Sequence, residues 1–348
     1  MSGPLYVPVL PAKRHAATAY QQLSPDVQRG VAPLWNLPPL RGVPPGELVG
    51  RTRRDVGVVS RVQRSHPAWL DAAFADEAQF AAVAEVMSER SKSSVLRPVT
   101  GPDRPGFQQA ATLDVARRGQ AGFAVRVPLH GEWDGAHAHA VRDLLDRADP
   151  AVEADLLLDL GAVRTDRPGA GKEALRALDA LVPLTQWRTS ALLGGGFPQV
   201  AEVELEHGPL HEPRMDWACW REVTASARAY VPWLSYGDYG TQPTAAIARG
   251  PSSGQGGPPW GVLRYTTEGA FVLVKVLSRG ADNVAVNRAA ARELVELPDF
   301  RGAVASAGET WLRDCARGRG PKGTGNAEAW LRVGNVQHFA YVVRTLRT

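Results

Sequence analysis

The fold is decided by residues 122–160, GFAVRVPLHGEWDGAHAHAVRDLLDRADPAVEADLLLDL. This stretch begins and ends with short apolar runs, 122–129 and 154–160, of the kind that form buried strands. Between them, residues 139–148 carry apolar side chains at the three- and four-residue spacing of an amphipathic helix. Two buried strands joined by a helix are the repeating unit of a parallel sheet.

The same unit recurs along the chain, with a helix-like segment after most of the apolar runs. The runs are YVPVL (6–10), VAPLW (31–35), AWLDAAF (68–74), SVLRPV (94–99), GFAVRVPL (122–129), ADLLLDL (154–160), RTSALL (188–193) and VPWLSY (231–236). Eight strands that alternate with helices over about 250 residues fit a closed parallel barrel. We therefore predict an α/β fold with a (β/α)8 barrel of the TIM type over residues 1–248, with excursions after the second and seventh strands.

The pattern changes after the eighth run. GVLRYTTEGAFVLVKVL (261–277) has two extended halves around a Thr-Glu-Gly turn, which predicts a β-hairpin. Two helix-like segments (286–297 and 308–316) and an apolar element (339–346) follow, with a glycine-rich loop at 317–326. We predict that residues 249–348 form a C-terminal extension, a hairpin plus helices, packed on the barrel as part of one structural unit.

Composition places the chain among folded, soluble proteins. Of its 348 residues, 44% are hydrophobic and 22% are charged, whereas a disordered chain has fewer of the first and more of the second. The first residues lack the basic and apolar regions of a secretion signal, and no run approaches the roughly 20 apolar residues that span a bilayer. We expect a cytoplasmic protein with no membrane partner.

The formal net charge of +4 is small for a chain of this length, but the basic residues are unevenly distributed. Residues 51–64 carry five arginines against one aspartate, and residues 313–322 are also rich in arginine. Such patches steer anionic partners without specifying them. Ordinary solvated surface, a protein partner and nucleic acid are the alternatives for these two segments.

The architecture predicts where a ligand binds, because the binding face of such a barrel is built from the carboxyl ends of the strands. Polar side chains lie at or near those ends. The predicted acid–base residues are Asp238, Lys13 and Asp159. The predicted ligand-binding residues at strand ends are Asn36, Arg97, Arg126, Tyr236 and Tyr239.

Glycines mark the ends of the last two predicted strands. LLGGGFP (192–198) follows the seventh strand, where these barrels often hold a phosphate, so Gly194, Gly195 and Gly196 are predicted to offer backbone N–H groups to an anion. VPWLSYGDYGTQ (231–242) packs tyrosines and an aspartate around two further glycines. The alternative for the first stretch is a flexible turn, and the alternative for the second is a tight turn with a helix-capping aspartate and packed tyrosines.

No motif names a reaction, so the sequence leaves open whether the protein is an enzyme. GAGKE (169–173) lacks the Ser/Thr that ends a phosphate-binding P-loop, and His137 and His139 are two residues apart, which on a helix separates them. We predict no metal site and identify no cofactor. The remaining alternative is a metal-dependent hydrolase that uses Asp71, Asp159 and His130.

Several short motifs resemble the beta protein family, named after a bacteriophage protein. They are YVPVLPAKRHAATAYQQLSPDVQRGVAPLWNLPP (6–39), LLGGGFP (192–198), SYGDYG (235–240), LRYTTEG (263–269) and AEAWLRVGNVQH (327–338). The resemblance implies a (β/α)8 barrel and a phage-related or defence setting, and it implies no reaction. It adds Arg264, Tyr265 and His338 to Lys13, Asp238 and Tyr239 as family-type ligand positions. Arg14 and His15 depart from the pattern, which favours an acidic residue after the lysine.

The first functional hypothesis is a barrel that binds, and in its fuller form also processes, a small anionic or phosphorylated ligand at the carboxyl-terminal face of the strands. The alternative is a non-enzymatic module of a phage or defence system. Such a module would meet a protein or nucleic acid through residues 51–64 and 313–322.

Overall fold

The computed structural model describes residues 3–63, 66–90, 95–119, 121–248, 257–319 and 323–348. Its strands are β1 (Tyr6–Pro11), β2 (Leu34–Asn36), β3 (Ala68–Asp71), β4 (Leu96–Thr100), β5 (Phe123–Pro128), β6 (Ala154–Ala162), β7 (Ser190–Gly195), β8 (Leu210–Pro213), β9 (Leu234–Asp238), β10 (Trp260–Thr266) and β11 (Ala270–Leu277). Eight of them form a closed parallel barrel in the order β1-β2-β3-β4-β5-β6-β7-β9. The predicted (β/α)8 barrel is confirmed.

The helices are α1 (Arg14–Gln21), α2 (Pro25–Arg29), α3 (Pro45–Val62), α4 (Glu77–Arg90), α5 (Gly106–Gly119), α6 (Ala136–Asp146), α7 (Ala170–Leu181), α8 (Met215–Thr224), α9 (Asn283–Val295), α10 (Ala307–Ala316) and α11 (Ala327–Thr345). Helices α1 to α8 lie between the barrel strands in the chain, and α9 to α11 follow the hairpin. Side-chain caps fix where several begin: the Val27 N–H donates to Ser24 Oγ at 3.5 Å, and the Ala329 N–H donates to Asn326 Oδ1 at 3.0 Å. Within the described ranges, no helix combines the length and apolar content needed to cross a membrane.

The strands alternate between two apolar layers. In β6, Leu157 packs inside the barrel with Val9 and Trp69, whereas Leu156 and Leu158 face the surrounding helices. Because side chains alternate along a strand, Asp155 and Asp159 share the inner side with Leu157. The interior is therefore apolar at mid-height and polar at both ends.

Five barrel strands (β2, β4, β5, β7 and β9) begin one to three residues later than the predicted runs. The eighth barrel strand begins at Leu234 rather than Val231, because Val231–Trp233 form a 3-10 turn that contains Pro232. The fourth begins at Leu96, and the predicted start at residue 94 lies outside the described residues. A strand that begins later in the chain places each of its side chains nearer to its amino end than predicted.

The predicted hairpin is present and has a third strand. β10 and β11 pair antiparallel from Trp260↔Leu277 to Thr266↔Phe271, and β8 pairs with the other edge of β11. The excursion predicted after the seventh barrel strand thus supplies a strand to the extension. Residues 249–256, which join the two predicted segments, lie outside the described residues.

Helix α11 belongs to the outer layer of the barrel. Its Phe339 ring lies 5.8 Å from the ring of Tyr6 in β1, and its Val336 and Val343 join the core between strands and helices. In a (β/α)8 barrel a helix covers each strand. Here the helix that covers the seam between β1 and β9 comes from the C-terminal segment rather than directly after β9.

Candidate functional site

Five polar side chains from five barrel strands meet in the barrel mouth, the carboxyl end of the interior. Arg126 of β5 is at their centre and is 7% exposed. Its Nη1 donates to Asn36 Oδ1 at 2.9 Å and to Asp71 Oδ2 at 2.7 Å. Its Nε donates to Asp159 Oδ2 at 2.8 Å, and its Nη2 donates to Tyr239 Oη at 3.0 Å. We call Asn36, Asp71, Arg126, Asp159 and Tyr239 the mouth group.

The mouth group keeps fixed charges. Burial alone would raise the pKa of Asp159, but the Arg126 charge and hydrogen bonds from Tyr239 and the Gly161 N–H hold that pKa below its usual value. Burial and the Asp159 charge raise the pKa of Tyr239. Asp159 is therefore an ionised acceptor and Tyr239 a protonated donor over the whole neutral pH range.

A cavity of about 430 Å³ opens above the mouth group. Its polar lining comprises Asp103, Arg104, Arg126, His130, Asp159 and Tyr239, and the Phe74 ring, 40% exposed, lies at its edge. Arg104 Nη2 donates to Asp71 Oδ2 at 3.2 Å. Its Nε lies 3.5 Å from Asp103 Oδ1 but makes no hydrogen bond to the described residues. The cavity thus holds one buried donor that a ligand can satisfy.

Asp238 and Tyr236 do not reach the mouth, although the sequence predicted both there. They alternate with the inward residues of β9, so their side chains point outward beneath α11. Asp238, 1% exposed, accepts from Tyr6 Oη at 2.5 Å, and its Oδ2 lies 3.0 Å from Tyr236 Oη and 2.8 Å from His338 Nε2. His338 is thus part of a buried contact between β9, β1 and α11.

Two further members of this buried contact were missed by the sequence analysis. Tyr236 Oη donates to Asp216 Oδ2 at 2.6 Å, and Arg214 Nη2 lies 3.4 Å from the same hydroxyl. Burial raises the pKa of Asp216, whereas the pKa of Asp238 is lowered by His338 against the effect of burial. We call Tyr6, Asp216, Tyr236, Asp238 and His338 the joint group. The sequence feature that could have indicated Arg214 and Asp216 is the charged stretch RMD (214–216) at the start of helix α8.

The three consecutive glycines pack side chains closely and do not form an open loop. Gly194 and Gly195 belong to β7, and none of the three has a positive φ. A Cβ on Gly195 would lie 2.3 Å from Thr244 Cγ2 and 3.1 Å from the Tyr239 ring, and one on Gly196 would lie 2.1 Å from Asp216 Oδ1. Their lack of side chains therefore leaves room for Tyr239 of the mouth group and Asp216 of the joint group. This close packing explains the three glycines without a bound anion.

Arg97 lies at the opposite end of the barrel from the mouth. It is the second residue of β4 and is in register with Trp69. Its Nη1 donates to Asp155 Oδ2 at 3.1 Å, at the amino end of β6. The predicted position of Arg97 at the ligand face is therefore wrong.

The remaining predicted residues form a basic group beside the mouth. Lys13 follows β1 directly. Burial lowers the pKa of His15 to about 4, and the charges of Lys13 and Arg264 add to this effect while Glu328 opposes it. Burial lowers the pKa of Arg264 to about 10; its guanidinium donates to the Val262 carbonyl and lies 5.6 Å from the Phe197 ring. Lys13 and Arg264 therefore lie near His15, which is neutral at neutral pH.

Tyr265 has a structural contact in place of a ligand contact. Its hydroxyl accepts from the Arg301 N–H at 3.0 Å and lies 3.4 Å from the Asp299 carbonyl oxygen. These bonds hold the segment between α9 and α10 against the hairpin. Tyr265 is therefore separate from the mouth group.

The basic segments are partly neutralised. Arg53 Nη2 lies 2.7 Å from Glu89 Oε1, Arg51 Nε lies 3.5 Å from Asp55 Oδ2, and Arg313 pairs with Asp314. Positions 64 and 320–322 of these segments lie outside the described residues. The described part offers less free positive charge than the sequence indicated.

The arrangement of charges does not form the alternative metal site. Arg126 lies between Asp71 and Asp159 and bonds to both carboxylates, so a cation already occupies the position that a metal ion would take. No group of three or more His, Cys, Asp or Glu side chains in the described ranges is placed to hold a metal ion. The mouth group instead pairs acids with a guanidinium.

Comparison with known proteins identifies the family. A comparison with curated proteins found no match. The family model described as Beta protein matches residues 6–344, nearly the whole chain. The match includes all five motifs that carried the resemblance, together with the barrel strands and α11. The chain therefore belongs to the Beta protein family.

Proposed function

We propose that the barrel mouth binds a small polar ligand that carries one anionic group, such as a phosphate or a carboxylate. The observation that supports this proposal is the cavity of about 430 Å³ above the mouth group. It lies at the carboxyl ends of the strands, where (β/α)8 barrels bind their ligands, and its volume is typical of small-molecule sites.

The anionic group of the ligand would bind Arg104. Arg104 lines the cavity, its Nε makes no hydrogen bond to the described residues, and a guanidinium binds carboxylate and phosphate oxygens well. Arg126 is already bonded to Asp71 and Asp159, so its role is to fix those carboxylates. The ligand gains affinity from one arginine, not from a cradle of glycine N–H groups.

The neutral part of the ligand would contact the other cavity residues. Asp159 accepts hydrogen bonds, so a hydroxyl or amine of the ligand has a partner there. The partly exposed Phe74 ring offers an apolar surface on the same cavity. A compact hydroxylated phosphate or carboxylate, such as a sugar phosphate, fits this combination.

The charge states favour binding over acid–base chemistry. A carboxylate held ionised by Arg126 is a weak base at neutral pH, and a tyrosine with a raised pKa is a weak acid there. We therefore propose that the protein binds the ligand, and processing of the ligand stays a prediction. The phage-related or defence setting also stays a prediction.

A thermal-shift screen with inorganic phosphate, sugar phosphates, nucleotides and small carboxylates tests the proposal. A ligand at 100 times its Kd stabilises the fold by about 2.7 kcal/mol, which is a shift of several degrees. The shift given by small carboxylates should disappear in Arg104→Gln and the shift given by phosphate compounds should decrease, whereas both should persist in Arg53→Gln, the matched control on α3. An equal shift in Arg104→Gln would contradict binding at the mouth, and no shift with any compound would favour the partner-binding alternative.

A further inference from the structure

A second cavity, of about 470 Å³, lies at the amino ends of the barrel strands. Its lining includes Pro4 and Ala32, which precede β1 and β2, Arg97 near the start of β4, and Thr189, which precedes β7. The cavity is therefore separated from the mouth by the apolar middle of the barrel.

The charged side chains that line this cavity are all basic. Arg29, Arg97 and Arg188 contribute guanidinium groups and His66 an imidazole, and no acidic residue of the described chain is in the lining. Arg29 pairs with Asp26 at 3.0 Å on the exposed rim. Arg97 and Arg188 lie deeper, with side chains 16% and 19% exposed.

One buried carboxylate serves both of the deeper arginines. Asp155, 0% exposed, accepts from Arg97 Nη1 at 3.1 Å, from Arg188 Nε at 2.9 Å and from Arg188 Nη2 at 2.5 Å. The Trp69 indole N–H donates to the same carboxylate at 2.9 Å. Glu153 also pairs with Arg188, but this glutamate is 67% exposed and its charge is screened by solvent. The buried charges therefore sum to an excess of positive charge.

Arg97 is the side chain with spare hydrogen-bonding capacity. Only its Nη1 donates to a described residue, which leaves Nε and Nη2 without an acceptor among them. Burial lowers the pKa of Arg97 and the nearby Arg188 charge lowers it further, although Asp155 opposes this effect. A partly desolvated cation with incomplete pairing is stabilised by an anion.

We propose that the amino-end cavity is a second binding site, specific for a phosphate group that Arg97 binds beside the charge of Arg188. The Nε and Nη2 donors of Arg97 match phosphate oxygens, whereas the nitrogens of Arg188 already donate to Asp155, Glu153 and the Ala121 carbonyl, so Arg188 contributes mainly its charge. The volume admits inorganic phosphate or a small phosphate monoester. This site is independent of the proposed mouth site, because no residue lines both cavities.

The test is a calorimetric titration of the whole chain with inorganic phosphate and, separately, with glycerol 3-phosphate. Arg97→Gln should weaken phosphate binding at least about tenfold, the loss expected for one charge-assisted contact. Arg53→Gln, an exposed arginine on α3, is the matched control and should bind as the unaltered protein does. Binding of glycerol 3-phosphate but not inorganic phosphate would identify a monoester site, and the reverse an inorganic phosphate site.

A protection experiment avoids any dependence on how Arg97→Gln folds. Phenylglyoxal should modify Arg97 of the unaltered protein more slowly when phosphate is present, while modification of Arg53 is unchanged, as measured by peptide mass spectrometry. Equal modification of Arg97 with and without whichever of the two phosphate compounds binds, or the absence of binding of both compounds by calorimetry, would overturn the proposal. Binding lost in Arg104→Gln but retained in Arg97→Gln would also overturn it, since phosphate would then bind at the mouth alone. The opposite pattern would support this site and count against the mouth.

Discussion

Asp238 and Tyr239 are neighbours in the chain but belong to different groups of buried polar residues. Tyr239 points into the barrel and bonds to Asp159, whereas Asp238 points outward and bonds to Tyr6. Both groups shift the pKa of an aspartate, and both are nearly inaccessible to solvent. Among the described residues, Arg126, Asp159 and Tyr239 of the mouth group line the cavity of about 430 Å³, and no member of the joint group does. A shifted pKa therefore does not identify a binding site unless open space adjoins the group.

The largest effect should come from removing the central cation of the mouth group. Arg126→Met leaves Asp159 buried without its positive partner and leaves Asp71 with Arg104 alone, which should lower the free energy of unfolding by about 3–5 kcal/mol. Urea denaturation measures this loss. A loss below about 1 kcal/mol would mean that water or Arg104 replaces Arg126, and the mouth would then be more open than the structure indicates.

A smaller effect is expected at the joint group. Asp238→Asn removes the carboxylate that contacts His338 and should cost about 3 kcal/mol, the lower end for a broken buried pair. The same change should leave ligand binding at the mouth intact. Tyr239→Phe is the matched change on the inner side of the barrel and should weaken that binding. If Asp238→Asn abolished binding in a folded protein, the separation of the two groups would be wrong.

Substitutions of Gly195 and Gly196 distinguish the mouth group from the joint group with a smaller loss of stability. Gly195→Ala places a methyl group against Thr244 and Tyr239, and Gly196→Ala places one against Asp216. Each should destabilise the protein by about 1–3 kcal/mol through overpacking, measured as a lower midpoint of thermal unfolding. Only Gly195→Ala should also weaken ligand binding. Unchanged stability in both variants would restore the interpretation of this segment as an open loop.

The smallest effect is the dependence on pH. The lowered pKa of Asp238 in the folded protein means that this carboxylate contributes stability above its unfolded pKa of about 3.9 and loses that contribution as the pH falls through the folded value. The free energy of unfolding should therefore decrease below about pH 4, and less steeply in Asp238→Asn. Urea denaturation at several acidic pH values measures the slopes. Identical slopes would exclude Asp238 as a source of the acid sensitivity.

The barrel was predictable because each strand and helix has its own apolar pattern. Arg126 and Asp159 were correctly placed in the mouth, since each lies near the end of a strand that begins clearly at its first apolar residue. Arg97 was misplaced because its run is short and apolar on both sides, so the pattern does not show where the strand begins. A shift of two residues moves a side chain from one end of such a strand to the other.

The rest of the site depends on contacts that a linear pattern does not contain. β8 was missed because LHEP is short, polar and ends in proline. The joint group combines residues separated by up to 332 positions, from Tyr6 to His338. Helix α11 has buried residues all around it, including Asn335, Gln337 and His338, so it lacks the one-sided apolar stripe that marks a surface helix.

The position of α11 over the seam between β1 and β9 sets an order for folding during synthesis. Domains acquire structure from the amino end as the chain is made, at about 5–20 residues per second. Strands β1 to β9 are complete once residue 238 has been added, but Tyr6 and Asp238 are not covered until α11, residues 327–345, follows. The seam between β1 and β9 therefore stays uncovered for several seconds after β9 has been made.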